Sequence, residues 1–394
     1  MVTTFEELCR ELDIKSSSSN QDLEKLIHWC ENTISTDIHF QGALQERLDF
    51  YKDLATDFLE YIKPNVLVDN LTAPVSLFEE KTSLQVIVDS GLNIYLKALN
   101  PSAMQVNSKV NGVTLLLLSA VRGHLHTTET LLSLGANPKE KNNKGAPILF
   151  VTLALPIDHD EQMKINKQSI YILLSPYFDN ILNERNESGD TILHIMSLNG
   201  YDQLIDSLLS EEQTKELAFI ANNSIHYPIH AAILNGQHHC VNSLIRVDGV
   251  EKLTDAKGRN ALHYAALYSD REMVKSCLKF CSKDSFDIHH QNPLILASIA
   301  NNADVVAELL NCGSEINATD DEHRSALHYA VALNKLSVVK QLLENPNINV
   351  NISDSYSQNP LDLVQQNTTE GAQINELLIA HRATHGQSLT NSMC

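Results

Sequence analysis

The stretch DAKGRNALHYAALYSDREMVKSCLKF, which runs from Asp255 to Phe280, decides the fold. Its central motif returns in DDEHRSALHYAVALNKLSVVKQLLENPNINVN, from Asp320 to Asn351. The shared Ala-Leu-His-Tyr-Ala core begins at Ala261 and at Ala326, which are separated by nearly two periods of about 33 residues. Self-similarity at such a period is typical of a protein built from stacked structural repeats.

Further copies of the motif lie between and before these two. The middle copy begins with NPLILA at 292–297 and ends with DVVAELLNCGSEINA at Ala318. Upstream copies are YPIHAA at 227–232, TILH at 191–194 and TLLLLSA at 114–120. Repeat starts fall near residues 77, 109, 142, 186, 222, 255, 287, 320 and 354. The longest interval follows residue 142, and it places extra residues near 156–162, between or within the helices of that repeat.

This pattern resembles the ankyrin repeat, whose consensus has a Thr-Pro-Leu-His core, a Gly-His turn and a Gly-Ala-x-x-Asn-Ala exit. The resemblance covers about residues 77–385 and implies an all-α fold, an ankyrin-repeat solenoid of about eight to nine helix-turn-helix repeats. The end repeats are expected to be atypical because one side of each faces solvent. Accordingly, the 77 repeat lacks the Pro and the His, and the 354 repeat has Asp362 at the His position.

The residue types at fixed positions of the repeat have physical reasons. A Thr before the first helix caps its free amides, and Pro228, Pro293 and Pro360 suit the first turn because proline lacks an N–H. Gly123 and Gly200, with Gly236, fit the left-handed turn that ends this helix. Paired leucines in the second helix form its buried stripe.

Residues 1–76 lack the repeat and are predicted to form a helical N-terminal extension or cap, with helices near 4–12, 21–33 and 40–62. An alternative is a separate module there with an unrecognised enzymatic activity, for which the repeats would serve as the targeting arm. A cysteine nucleophile would require Cys9 or Cys30 next to His28, but a helix points His28 and Cys30 to different faces. Residues 386–394 are predicted to be a flexible tail.

Composition narrows the functional classes. The chain of 394 residues carries 49 Asp and Glu against 29 Lys and Arg, a net charge of −20, which argues against generic nucleic-acid binding. We find no apolar run of the ~20 residues that a membrane span needs, and the N-terminus lacks the pattern of a signal peptide. Seven scattered cysteines favour a reducing, cytoplasmic compartment. We therefore expect no cofactor, no membrane insertion and a monomer.

The 17 histidines do not require a catalytic role. His194, His230, His263 and His328 occupy the Thr-Pro-Leu-His position, and the resemblance implies that they link neighbouring repeats, with His124 structural as well. A zinc site is the alternative, because His238-His239-Cys240 lies one repeat before Cys277 and Cys281, which are followed by His289-His290. However, the cysteine spacing is not that of a zinc knuckle, and Cys240 and Cys277 are expected to face the core. We expect no catalytic residue and no metal.

The resemblance instead predicts non-enzymatic protein–protein recognition on a concave surface of first helices and loop tips. The predicted contact residues are Arg122, Asp190, Lys257, Arg259, Leu267, Tyr268, His289, Gln291, Asp321, Glu322, Arg324 and Leu333. The acidity of the chain favours a partner of basic character. The Asn-rich, acidic composition also resembles ankyrin effectors that intracellular bacteria deliver into the host cytosol; an ordinary eukaryotic cytosolic adaptor is the alternative.

Overall fold

The computed structural model describes residues 83–386, apart from 90, 92, 94–95, 98–99, 110–111, 155–160 and 179–183. The predicted helical extension 1–76, its Cys9, His28 and Cys30, and all of the predicted tail beyond residue 386 lie outside the described residues. The chain divides into two compact units, one ending at Asn180 and one beginning at Ile181.

The first unit contains the 109 and 142 repeats. The 109 repeat pairs helix Leu115–Val121 with Leu125–Ser133, and the 142 repeat pairs Ile148–Ala154 with Glu161–Leu174, which a 3-10 turn at Ser175–Tyr177 extends. Helix Ser83–Asp89 contacts Leu115–Val121, and a short helix lies at Ala103–Val106. Part of the extra length predicted for the 142 repeat lies in its second helix, which has 14 residues, whereas residues 155–160 lie outside the described residues.

The second unit contains the 186, 222, 255, 287, 320 and 354 repeats. The first, or inner, helices of five of them are Ile192–Asn199, Pro228–Leu234, Ala261–Tyr268, Pro293–Ile299 and Ala326–Ala332. The second, or outer, helices are Asp202–Leu209, His238–Leu244, Arg271–Leu278, Ala303–Asn311 and Leu336–Leu343. A 3-10 segment, Glu212–Phe219, lengthens the 186 repeat, and a shorter one lies at Val250–Lys252. The 354 repeat has only a 3-10 turn, Pro360–Leu363, before its helix Thr369–Ala380.

The helix boundaries follow the predicted chemistry. Thr191 caps its helix by accepting a hydrogen bond from the His194 amide, and Thr114 does the same for Leu117. Pro228 and Pro293 occupy the first helical turn. Gly200 ends its helix with a φ of 78°, a left-handed conformation that favours glycine.

The core of the second unit lies between the two helix layers. Neighbouring inner helices contact each other in chain order, and so do neighbouring outer helices. One buried position per repeat shows the regularity: Leu193, Ile229, Leu262, Leu294 and Leu327. Cys240 and Cys277 are also buried, as predicted, and serve as small apolar side chains in the outer helices. Stacking completes a core that a single repeat could not form.

The all-α expectation is confirmed within the described residues. Extended pairing between described residues takes the form of isolated bridges, such as Lys141 with Pro147 and Thr319 with Ser325. Each bridge closes a loop immediately before an inner helix. The repeat thus consists of two helices and a loop, and the loop brings one polar segment per repeat to the same edge of the unit.

Candidate partner-binding surface

The loop tips of the second unit form the first part of this surface. We call the five residues before each inner-helix cap a tip, and together they form the tip row: 186–190, 222–226, 255–259, 287–291, 320–324 and 354–358. In the 255 tip, Asp255 Oδ1 accepts hydrogen bonds from the amides of Lys257 (2.8 Å) and Arg259 (2.9 Å). The same two bonds, at 2.9–3.0 Å, form on Asn222, Asp287, Asp320 and Asp354. One side chain per tip therefore fixes the loop.

Neighbouring tips are joined by main-chain hydrogen bonds. The amide of Ile288 donates to the Lys257 carbonyl at 2.9 Å, and the amide of Ser355 donates to the Glu322 carbonyl at the same distance. Equivalent bonds join Asn223 to Ser188 at 3.0 Å and Asp321 to His289 at 3.2 Å. These bonds use backbone groups, so they hold the tips together without restricting which side chains point outward.

The histidines of the Thr-Pro-Leu-His position join repeats, as predicted, at three of four sites. In His194, Nδ1 accepts a hydrogen bond from the Thr191 amide (3.1 Å), so Nε2 carries the proton and donates to the His226 carbonyl (2.9 Å). His263 and His328 make the same connections to the next repeat. Burial lowers the pKa of all three, which keeps them neutral near pH 7.

His230 is the exception. Its Nδ1 accepts from the Tyr227 amide, but its buried Nε2 has no hydrogen-bond partner among the described residues. The ring instead stacks on Tyr264 with a centroid distance of 4.4 Å. Burial, with a smaller effect of nearby His226, lowers the pKa of His230 to about 3.

Other family positions behave as predicted or show a substitution. His124 Nε2 bonds to the Asp89 carbonyl at 2.8 Å, which confirms a structural role. In the 354 repeat, Asp362 replaces the histidine, and its Oδ2 accepts from the Asn359 amide at 2.8 Å. Its other oxygen bonds to His385 at 2.6 Å, so residues near 385 lie against the last repeat.

Five charged residues predicted as contacts already have partners within their own unit, among them Glu322, which pairs with Arg324. Arg259 donates to Asp255 through Nη2 (2.6 Å) and Nε (2.9 Å), lies 5.1 Å from the Tyr264 ring centroid, and its side chain is only 14% exposed. Arg324 pairs with Asp354 (3.2 Å) and Glu322 (2.9 Å). Asp190 accepts from the side chains of Asn186 and Asn222, and Arg122 pairs with Asp89 at 2.6 Å.

The carboxylate of Asp255 in the 255 tip accepts further hydrogen bonds. The Tyr264 hydroxyl also donates to Asp255, at 2.9 Å. Burial opposes the charge of Asp255, but the hydrogen bonds from Arg259, Tyr264 and the backbone outweigh it and lower its pKa to about 2. Burial and the bond to Asp255 raise the pKa of Tyr264. Asp255 and Arg259 are therefore structural parts of the tip.

The remaining predicted contacts are more open. Lys257, His289 and Asp321 are exposed on their tips. Gln291 is half-buried and donates to the Tyr329 hydroxyl at 3.2 Å. Leu267 is half-buried as well, whereas Tyr268 and Leu333 are exposed at the end of their inner helices.

A row of apolar residues at the ends of the inner helices forms the second part of the surface. They stand seven or eight positions after each helix cap, and we call them the apolar row: Leu198, Leu234, Leu267, Tyr268, Ile299 and Leu333. Four are exposed: Leu198 at 38%, Leu234 at 40%, Tyr268 at 53% and Leu333 at 43%. Leu234 was missed by the sequence reasoning, although aligning the caps at Thr191, Tyr227 and Asn260 places it beside Leu198 and Leu267.

The residues of the zinc alternative are distributed differently. Cys240, Cys277 and Cys281 are buried, and burial raises the pKa of the Cys281 thiol to about 12. His289 and His290 are exposed, and His290 stacks on Phe286. Across the described ranges, no group of three or more His, Cys, Asp or Glu side chains is placed to hold a metal ion.

Comparison with known proteins agrees with this geometry. A family model described as ankyrin repeats (3 copies) matches residues 193–287, 229–320 and 272–354. Residues 193–354 of the chain are ankyrin repeats. The matched residues span the inner helices that carry the apolar row and all but the first and last tips.

Three relatives show how limited the likeness is. The rat nuclear factor NF-kappa-B p105 subunit is 28% identical over 146 residues, 35% of this chain and 15% of that protein. Human neurogenic locus notch homolog protein 2 is 32% identical over 184 residues, 42% of this chain and 7% of that protein. The putative palmitoyltransferase ZDHHC13 of Danio rerio is 28% identical over 179 residues, 45% of this chain and 27% of that protein. The ankyrin repeat chain thus spans only a small part of each.

The described helices also bear on membrane crossing. None of them combines the length and the hydropathy that a bilayer span requires.

Proposed function

We propose that this ankyrin repeat protein is a non-enzymatic interaction module, and that the second unit binds a protein partner on its tip row and apolar row. Ankyrin repeats are protein–protein interaction modules, so their presence supports binding of a protein partner. The predicted contacts on this surface, from Asp190 to Leu333, remain part of the proposal. Within it, Lys257, Tyr268 and Leu333 are direct contacts, whereas Arg259 and Arg324 hold the tips in place.

The observation that carries the proposal is the exposure of the apolar row. Leucines and a tyrosine at equivalent positions of four inner helices, each 38–53% exposed, form a recurrent apolar feature on one face of the unit. Clustered apolar side chains on a surface mark interaction sites, and tyrosine is common at the centre of interfaces. The row uses side chains that the repeats do not need for their own stacking.

The proposal also includes a cytosolic site of action and a monomeric state. Among the described residues of the second unit, Cys240, Cys277, Cys281 and Cys312 form no disulfide bond, which suits a reducing compartment. Both a bacterial effector in a host cytosol and a eukaryotic adaptor would use the same surface. The competing proposal is an enzymatic activity of residues 1–76 that the ankyrin array targets. Partner capture by residues 1–76 alone would overturn binding on the array.

The test compares two double variants of the full chain. Leu234→Glu with Leu333→Glu places charges in the apolar row, and Phe219→Glu with Ile379→Glu places them at exposed apolar residues elsewhere in the second unit. Proteins captured from cell lysate would be identified, and the affinity of the purified partner measured by calorimetry. We expect the row variant to weaken binding at least about 30-fold, near 2 kcal/mol, and the control to bind like wild type. Equal binding by both variants would refute the surface.

A further inference from the structure

The tip row is more acidic than the chain as a whole. Its 30 residues contain eight Asp and Glu against three Lys and Arg, a formal charge of −5 with histidines neutral, whereas the whole chain carries −20 over 394 residues. The tip row therefore holds a quarter of the net charge in less than a tenth of the chain. This concentration lies on the edge from which the inner helices start.

The charges of this row are only partly compensated within the unit. Arg259 pairs with Asp255, and Arg324 pairs with Asp354. Among the described residues, Asp287 has hydrogen bonds only from the amides of His289 and Gln291, without a cationic partner.

Asp320 is likewise without a cation in the described part of the chain. It accepts from the amides of Glu322 and Arg324 and from the Tyr329 hydroxyl, at 2.5 Å. Both Asp287 and Asp320 are buried. The exposed carboxylates of Glu187 and Asp321 add to the same field.

The apolar row, by contrast, carries no charge. The seventh and eighth residues after the five helix caps are all uncharged: Leu198, Asn199, Leu234, Asn235, Leu267, Tyr268, Ile299, Ala300, Ala332 and Leu333. A partner that binds both rows must therefore be apolar along one side and basic along the other. An acidic or a wholly polar segment would meet repulsion on the tip row or leave the apolar row uncovered.

Distances favour a helix as the form of this segment. An inner helix of seven or eight residues separates the two rows by about 12 Å at a rise of 1.5 Å per residue, close to the 10–12 Å diameter of an α-helix. Packed helices are spaced by about 8–10 Å, and helical residues seven apart rise about 10.5 Å on the same face. Apolar residues at every seventh position of a partner helix would therefore contact successive inner helices of the second unit.

Resting on the proposed function, we propose that the partner presents a basic amphipathic helix to the second unit. Its apolar stripe covers the apolar row, and its Lys and Arg side chains face the tip row. Charge complementarity to the tip row is the feature that selects this partner over an acidic one.

The test uses the full chain and three fluorescent 21-residue peptides. One is an amphipathic Leu/Lys helix, one replaces every Lys with Glu, and one keeps the Lys but replaces every Leu with Gln. Anisotropy titrations are expected to give the Leu/Lys peptide at least tenfold tighter binding than either other peptide. Its affinity should fall at least tenfold between 50 and 300 mM salt because the pairing is electrostatic.

Matched variants distinguish the surface from general acidity. Glu187→Gln with Asp321→Asn removes two exposed tip charges and is expected to weaken Leu/Lys binding three- to tenfold. Asp304→Asn with Glu344→Gln removes two exposed charges of the outer helices and should change it less than twofold. Equal losses in both variants, or equal binding of the Leu/Glu peptide, would overturn the proposal. If no peptide binds while lysate capture still depends on the apolar row, the basic helix is refuted but the proposed function stands.

Discussion

The tip row and the apolar row lie at opposite ends of the same inner helices, yet they differ in how many contacts their side chains make within the unit. In the tips, the buried Asp255 carboxylate is saturated by two amides, Arg259 and Tyr264. In the apolar row, Leu234 and Tyr268 remain largely exposed. The paired charges of the tips therefore stabilise the array, and the exposed apolar side chains are available to a partner.

Removing the organising carboxylate should destabilise the second unit most. Asp255→Ala leaves Arg259 and the buried Tyr264 hydroxyl without their acceptor, and removing one partner of a buried ion pair costs about 3–5 kcal/mol. Urea unfolding followed by circular dichroism measures the loss. Asp321→Ala, an exposed carboxylate of the 320 tip, is the control and should change stability by less than about 0.5 kcal/mol. Similar losses in both variants would contradict the structural role of Asp255.

Acid should weaken the array through His230. Its pKa is about 3 in the folded chain and about 6.5 when unfolded, so the unfolded state binds the proton first. The stabilisation is present above pH 6.5 and is lost as the pH falls toward 3. At pH 5 the loss relative to pH 8 is about 2 kcal/mol for this residue.

His230→Phe isolates this contribution. The phenyl ring can still stack on Tyr264 but cannot take up a proton, so the stability difference between pH 8 and pH 5 should shrink by about 2 kcal/mol relative to wild type. Unfolding curves at the two pH values supply the comparison. An unchanged pH dependence in the variant would show that protonation of His230 does not cause the loss of stability at pH 5.

The smallest effect concerns the fourth residue of the tips, which is left-handed throughout. Gly258 has a φ of 73° and Ile225 a φ of 58°, although a β-branched side chain disfavours this region. Ile225→Gly should therefore stabilise the chain by about 0.5–1 kcal/mol. Gly258→Ala should destabilise it by about 1 kcal/mol or more, since the new Cβ would lie 3.1 Å from Ile288 Cγ2. Thermal unfolding checks both signs, and a less stable Ile225→Gly would contradict the strain.

Much of the architecture was predictable because the repeat is periodic. The caps at Thr114 and Thr191, the turn at Gly200 and the bridging role of His194 follow from residue type and spacing. The 14-residue length of the second helix in the 142 repeat did not follow, since the composition of the extra residues fits a loop as well as a longer helix. The short inner segment of the 354 repeat was not predictable either. Pro360 is typical of the first turn of a full helix, but only a 3-10 turn forms there.

The candidate site was predicted less well, for a physical reason. Sequence places Arg259 on a tip but does not show that Asp255, four residues earlier, takes up its guanidinium. Whether a charge is free depends on the local fold, which the repeat consensus leaves open. Exposure of Leu234 depends likewise on how far neighbouring helices cover it, although its place in an apolar row can be found by aligning the caps.

The most direct test of this division measures stability and affinity on the same two variants. Arg259→Ala should lower the free energy of unfolding by at least about 2 kcal/mol, because Asp255 loses its buried partner, and should leave affinity for the captured partner unchanged or slightly tighter. Leu234→Glu should change unfolding by less than about 1 kcal/mol and weaken binding at least tenfold. The reverse pattern, with binding lost in Arg259→Ala and retained in Leu234→Glu, would contradict the account.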